Sequence, residues 1–187
     1  MAADRCDAFA GCAGSDPPRG EATAVRVERQ VRILVSGEAP CELAPVRRAI
    51  HAAVRPYGVP AGARVGLAFV DDFVMKELNG RHRGKPRTTD VLSFGQALPP
   101  GAKGAAAVRA LVRDVDGELE VGDIVISGAQ AARQARRRRQ SMVQEVAFLA
   151  AHGALHLLGF EDDTHEGYRE MVALGTAATA RPRRTAR

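Results

Sequence analysis

Between residues 31 and 174 short β-branched runs alternate with longer stretches of helical periodicity, and no other feature constrains the fold as much. Strands are expected over 31–35, 64–70, 91–94 and 121–127, the last apolar enough to be buried on both faces. Helices are expected over 41–55, closed by Pro56 and Gly58, and over 72–78, stopping near Asn79-Gly80. Three more follow at 129–139, 141–158 and 166–174. Ser141 with Gln144 three residues on reads as a capping box, and Gly159 as the residue that closes the helix before it. The polar stretch 81–89 and the Ala/Gly-rich stretch 96–118 read as loops, the latter with some local helix or strand. Interspersed strands and helices specify an α/β (α+β) domain, a small mixed sheet packed with helices.

Length and composition fit one such domain. The chain has 187 residues, 45% apolar and 26% charged. Residues 1–25 lack periodicity and read as a disordered leader; 26–175 form the domain; 176–187 read as a basic disordered tail. No apolar run is long enough to span a membrane, and with a charged start lacking an apolar stretch behind it no secretory signal is expected. Cys6, Cys12 and Cys41 have no metal-ligand spacing, so a reduced, cytoplasmic protein is expected. The net charge of +5 sits mostly in the last twelve residues, so it leans only weakly toward a polyanionic partner.

The chemistry concentrates in the segment 152–162, His-Gly-Ala-Leu-His-Leu-Leu-Gly-Phe-Glu-Asp. His152 and His156, four apart on a helix, share one face and can present two imidazoles to one ion. Gly159 lets the chain turn, so Asp162 can swing back to the same point. Two His and one carboxylate suit a first-row metal, Zn²⁺ before others, with a coordination position left for water. His165, three residues further, is an alternative third ligand. The metalloprotease pattern places a Glu directly after the first His. Here that position is Gly153, which speaks against a protease. Glu145, seven residues before His152, is a supporting group or a solvated helix residue.

A second cluster lies upstream. Arg81, Arg83, Lys85 and Arg87 alternate, so an extended loop would project four cations to one side as a phosphate-binding strip. Together with a metal site, such a strip suggests metal-assisted attack of water on a phosphodiester. Arg136 to Arg139, with Arg133 a turn earlier, could hold an RNA backbone or simply end a helix. Trp is absent and only two Tyr and six Phe occur, so no base-stacking platform is evident.

The two segments together resemble the YbeY family, metal-dependent endoribonucleases of bacterial ribosomal RNA maturation. The family pattern H-G-x-L-H-L-x-G-[YF]-D-H is matched from His152 to Gly159. Its upstream pattern is matched at Leu78-Asn79, Arg83, Lys85 and Thr89 to Phe94, and its G-D-I-x-I-S strand at Gly122 to Ser127. The resemblance implies a single-strand-specific endoribonuclease, one Zn²⁺ per chain on three ligand positions and a catalytic role for Arg83. It also implies ribosomal RNA, the small ribosomal subunit and assembly factors as partners. This chain departs from the pattern at Asp162, where the family has His, at Glu161 and His82, and in the position of Pro86. The alternative function is a non-catalytic RNA-binding assembly factor that keeps a metal for structure.

Overall fold

The computed structural model describes residues 30–180; the expected leader and residues 181–187 lie outside the described residues. The chain runs β1 (Arg32–Ser36), α1 (Leu43–Val54), a 3-10 turn (Arg55–Tyr57), β2 (Arg64–Val70), α2 (Asp72–Arg83) and β3 (Val91–Gly95). It continues α3 (Ala105–Ala110), β4 (Glu120–Ser127), α4 (Gly128–Arg138), α5 (Met142–Leu157) and α6 (His165–Thr179). The four strands form one mixed sheet in the order β1-β2-β4-β3. β1, β2 and β4 are parallel, and β3 joins β4 antiparallel with Val91 opposite Ile126 and Phe94 opposite Asp123. The α/β domain expected from the alternation is the domain observed.

Strand alternation sorts the side chains onto two faces. Ile33, Val65, Leu67, Ile124 and Ile126 point to a large core shared with Val46 and Ile50 of α1 and Val146, Leu149 and Leu155 of α5. The other face carries a small cluster, Leu92 and Val125 under Met75 of α2, with Leu78 and Phe94 at its edge. Each such side chain, fully buried, contributes about 1.5–3 kcal/mol. α5 lies at the centre and buries Glu145, Val146, Ala147, Leu149, Ala150 and five further residues. Ser141 and Gln144 form the expected capping box.

Two segments, α2 and α6, differ from the sequence expectation, and the loop 96–118 takes up the local helix that its sequence allowed. α2 does not stop near Asn79-Gly80 but runs to Arg83, where Gly84 closes it in the left-handed conformation. Asn79 is buried, and its side-chain amide donates to the Arg87 carbonyl 2.8 Å away, so the residue read as a stop ties the following loop to the helix. The loop 96–118 contains the short helix α3 with Ala107 fully buried. α6 continues past Leu174 to Thr179, because Leu174 and Ala178 pack against the main core; residues 176–179 therefore belong to the domain.

Candidate metal centre and its groove

Helix α5 carries both histidines on one face. Their rings meet edge to face with centroids 4.8 Å apart. The helix ends at Leu157, Leu158 caps it, and Gly159 follows with φ 75°. A Cβ at Gly159 would lie 2.2 Å from the Ala102 carbonyl oxygen, so conformation and space both demand glycine there. The turn returns the chain across the helix end, and Thr164 caps α6. Asp162 sits in this exposed connection with Oδ2 3.3 Å from His152 Nε2 and Oδ1 3.9 Å from His156 Nε2. The three potential ligand atoms lie within 4.8 Å of one another, and among the described residues this is the group able to hold a metal ion. His165, the alternative, is the first residue of α6, is exposed and is not part of the group.

The donor set fits a divalent first-row ion: two imidazole nitrogens and one carboxylate converge on one point, with the imidazoles largely shielded and the carboxylate at the mouth. His156 Nδ1 lies 2.8 Å from the Phe160 carbonyl oxygen. That bond keeps the ring proton on Nδ1 and leaves Nε2 free to ligate. His152 Nδ1 is buried with no hydrogen-bond partner among the described residues, so packing orients this ring. Phe148 stacks on it at 5.9 Å between centroids, 23° between planes. Burial first, then the neighbouring His156, hold the His152 pKa below the ordinary histidine value, against the opposing pull of Asp162. Burial thus favours the neutral ring, the form in which an imidazole can ligate.

Gly153 faces the sheet, not the ion site. A Cβ there would lie 2.8 Å from Ile124 Cγ2 and 3.1 Å from Ser93 Oγ, and the Ser93 hydroxyl donates to the Gly153 carbonyl across 3.1 Å. A glutamate in the protease position would have no room and no view of the metal centre.

Arg83, Thr89, Asp90 and Ser93 line the same open groove as His152, His156 and Asp162. The strip expected of Arg81, Arg83, Lys85 and Arg87 does not form. Arg81 and Arg83 belong to the last turn of α2, two residues and thus about 200° apart, while Lys85 and Arg87 follow Gly84. All four are exposed, but only Arg83 lines the groove. Asp90 is fixed by its neighbours: its Oδ1 accepts from the Val91 amide at 3.0 Å and its Oδ2 from the Gln134 side chain at 2.8 Å.

Two further expectations change. Glu145 is neither solvated nor a partner of the histidines; it is fully buried and bonded to Arg138 at 2.9 Å and to Gln140. Arg133 grips Asp72 with two nitrogens, at 2.7 and 2.9 Å, and is therefore committed to the fold. Arg136, Arg137 and Arg139 remain exposed at the end of α4. Phe148 went unnoticed in the sequence, although its place four residues before His152 puts it on the histidine face.

Comparison with known proteins agrees with the resemblance of the motifs. The family model described as Endoribonuclease YbeY matches residues 42–181. A protein of that name from Moorella thermoacetica is 41% identical over 138 residues, 74% of this chain and 85% of its own length. Another from Desulforamulus reducens is 40% identical over 126 residues, 67% of this chain and 76% of its own length. A third from Synechococcus is 45% identical over 110 residues, 58% of this chain and 62% of its own. The matched segment contains every residue of the groove named above, and the chain belongs to the YbeY endoribonuclease family.

Proposed function

We propose that this chain is a metal-dependent endoribonuclease that cuts single-stranded RNA during ribosomal RNA maturation. In this reading it works in the cytoplasm, with the small ribosomal subunit and its assembly factors as partners. The observation that carries the reading is the convergence of His152, His156 and Asp162 in a groove that Arg83 also lines. Family membership supports RNA as the substrate, and the donor set suits Zn²⁺.

His152 and His156 would each offer a ring Nε2 to the ion, and Asp162 a carboxylate oxygen. A divalent ion bound there supplies Lewis-acid polarisation of a water and of a phosphoryl oxygen. Arg83, with its planar fork of donors, binds the scissile phosphate and stabilises the charge that builds on its oxygens. Asp162, exposed at the mouth, can take a hydrogen bond from the incoming water and so help orient it. No helix among the described residues is long and apolar enough to cross a membrane.

The test is a cleavage assay on purified protein with labelled single-stranded and duplex RNA. Single strands should be cut, duplex should survive, a chelator should stop the reaction and added Zn²⁺ should restore it. Metal-replete protein that binds RNA and leaves it whole would instead be an assembly factor.

A further inference from the structure

Two aromatic side chains continue the groove away from the metal centre, and neither is used by the chemistry above. Phe148 is half-buried one turn before His152 on α5 and stacks on its ring. Its other neighbour is Gly175 of α6, where a Cβ would come within 3.0 Å of the Phe148 ring. The ring is thus held between a histidine and a bare stretch of helix, with part of its surface open to the groove. Tyr168 of α6 is 53% exposed and lines the same groove as Phe148, His152 and Asp162.

The placement of Tyr168 follows from the helix pair. α6 runs back along α5, since it starts just after the turn at Gly159 and reaches Phe148 at Gly175. Tyr168 precedes Gly175 by seven residues, two helical turns or about 10 Å, so it lies on the same face of α6. The same distance from Phe148 along α5 leads past His152 to the level of Leu155 and His156. Tyr168 therefore stands beside the metal centre. Among the described residues its hydroxyl makes no hydrogen bond, and its half-exposed ring leaves an aromatic surface available to a planar partner in the groove.

We infer that Tyr168 is a stacking shelf for an unpaired nucleobase of the strand whose phosphate lies at the metal centre. The inference rests on the endoribonuclease reading for the identity of its occupant. Single-strand binders recognise RNA by a cationic track for the backbone and exposed aromatic faces for the bases, and every base offers a π-face. Here Arg83 supplies the cation and Tyr168 the face. A duplex keeps its bases stacked on one another and cannot offer one to the shelf, so the shelf favours single strands without reading sequence. Tyr168 is a binding residue in this proposal, while Phe148 packs on the His152 ring and against Gly175.

The chain has no Trp and only two tyrosines, Tyr57 and Tyr168, so emission can report on the shelf directly. In a Tyr57→Phe background the tyrosine emission should be quenched as a short single-stranded oligoribonucleotide is titrated in with chelator present. By anisotropy of labelled RNA, Tyr168→Ala should bind about 5- to 10-fold more weakly and Tyr168→Phe within about twofold of the parent, as expected for loss and retention of one stacked base. An oligonucleotide with an abasic position next to the cleavage site should bind parent and Tyr168→Ala alike. In turnover, Tyr168→Ala should raise KM and leave kcat at saturating RNA unchanged. Absence of quenching, parent-like binding by Tyr168→Ala, or an equal loss on intact and abasic RNA would each overturn the shelf. Quenching by an RNA that the metal-loaded parent never cuts would sink the endoribonuclease reading and leave the shelf standing.

Discussion

His156 Nδ1 and the Phe160 carbonyl oxygen lie 2.8 Å apart across the turn that ends α5. Phe160 is itself buried and packed against Tyr57 with ring centroids at 5.1 Å, so the acceptor is anchored in the core. The bond spans the same turn that brings Asp162 home. One hydrogen bond therefore sets both the tautomer of one candidate metal ligand and the path of the chain to the next.

Loss of either end of that arrangement should empty the site. Purified wild-type protein should carry about one metal ion per chain. His156→Ala and Asp162→Ala should each weaken binding by at least about 100-fold, beyond what loss of a supporting hydrogen bond alone costs. Asp162→His should keep the metal, and His165→Ala should change little. Elemental analysis decides: a site emptied by His165→Ala and filled in Asp162→Ala would reverse the ligand assignment.

Arg83→Ala should slow RNA cleavage by about 10²- to 10³-fold, the usual cost of removing one donor to a developing oxyanion. Metal content and the thermal midpoint should stay as in the wild type, because Arg83 is exposed. Arg83→Lys should recover little, since an ammonium lacks the bidentate fork. Wild-type rates in Arg83→Ala would remove it from the chemistry.

Gly153→Ala tests how tightly α5 crosses the sheet. Alanine gains about 1 kcal/mol over glycine in a helix interior. The added methyl must push aside Ile124 or Ser93, and overpacking of this kind costs about 1–3 kcal/mol. A net loss of about 1 kcal/mol is expected in urea denaturation, and a gain would show slack between helix and sheet. Gly153→Glu should misfold and should show no peptidase activity.

Arg138→Ala should destabilise the fold by about 2 kcal/mol while leaving metal content unchanged. Glu145 is fully buried, and removing its guanidinium partner leaves only Gln140 to satisfy it. Breaking a fully buried pair costs about 3–5 kcal/mol, and half exposure of Arg138 reduces the effect. Unchanged stability by calorimetry would mean that the pair contributes nothing net.

Asp72 gives the pH dependence. The Arg133 guanidinium first, and the Ser127 hydroxyl after it, hold its carboxyl below the ordinary aspartate value. A carboxylate with a lowered folded pKa contributes stability above its unfolded value of about 4, and that contribution fades as pH falls through the folded pKa. The side chain is 38% exposed, so solvent screening keeps the effect modest. Wild type should exceed Asp72→Asn in stability at pH 7, and the gap should close below about pH 4. A gap that widens on acidification would contradict the assignment.

The site was legible where its residues are close in the chain. The capping box at Ser141, the i,i+4 histidines and the glycine turn each act within one or two helical turns, so spacing alone places them. Legibility failed where a distant partner overrode a local signal. Asn79-Gly80 looks like a helix end, yet Asn79 is buried and bonded to Arg87, and the helix continues. Arg133 looked like a free cation because Asp72 lies 61 residues away. Glu145 stayed open between a supporting group and a solvated residue, because the chain reversal between α4 and α5 that brings Arg138 to it is not set by helical spacing. The shelf at Tyr168 needs the antiparallel course of α6, which no local spacing records.

The two halves of the site stand on unequal footing. The imidazoles belong to α5, the helix most deeply enclosed by the rest of the molecule, while Arg83 and Tyr168 project from exposed positions on α2 and α6. A substitution on α5 disturbs packing before it changes chemistry, so that half has little freedom to vary. The exposed half can be rewritten at almost no thermodynamic penalty. Over evolutionary time a chain built this way can drift in which RNA it grips while its reaction stays the same.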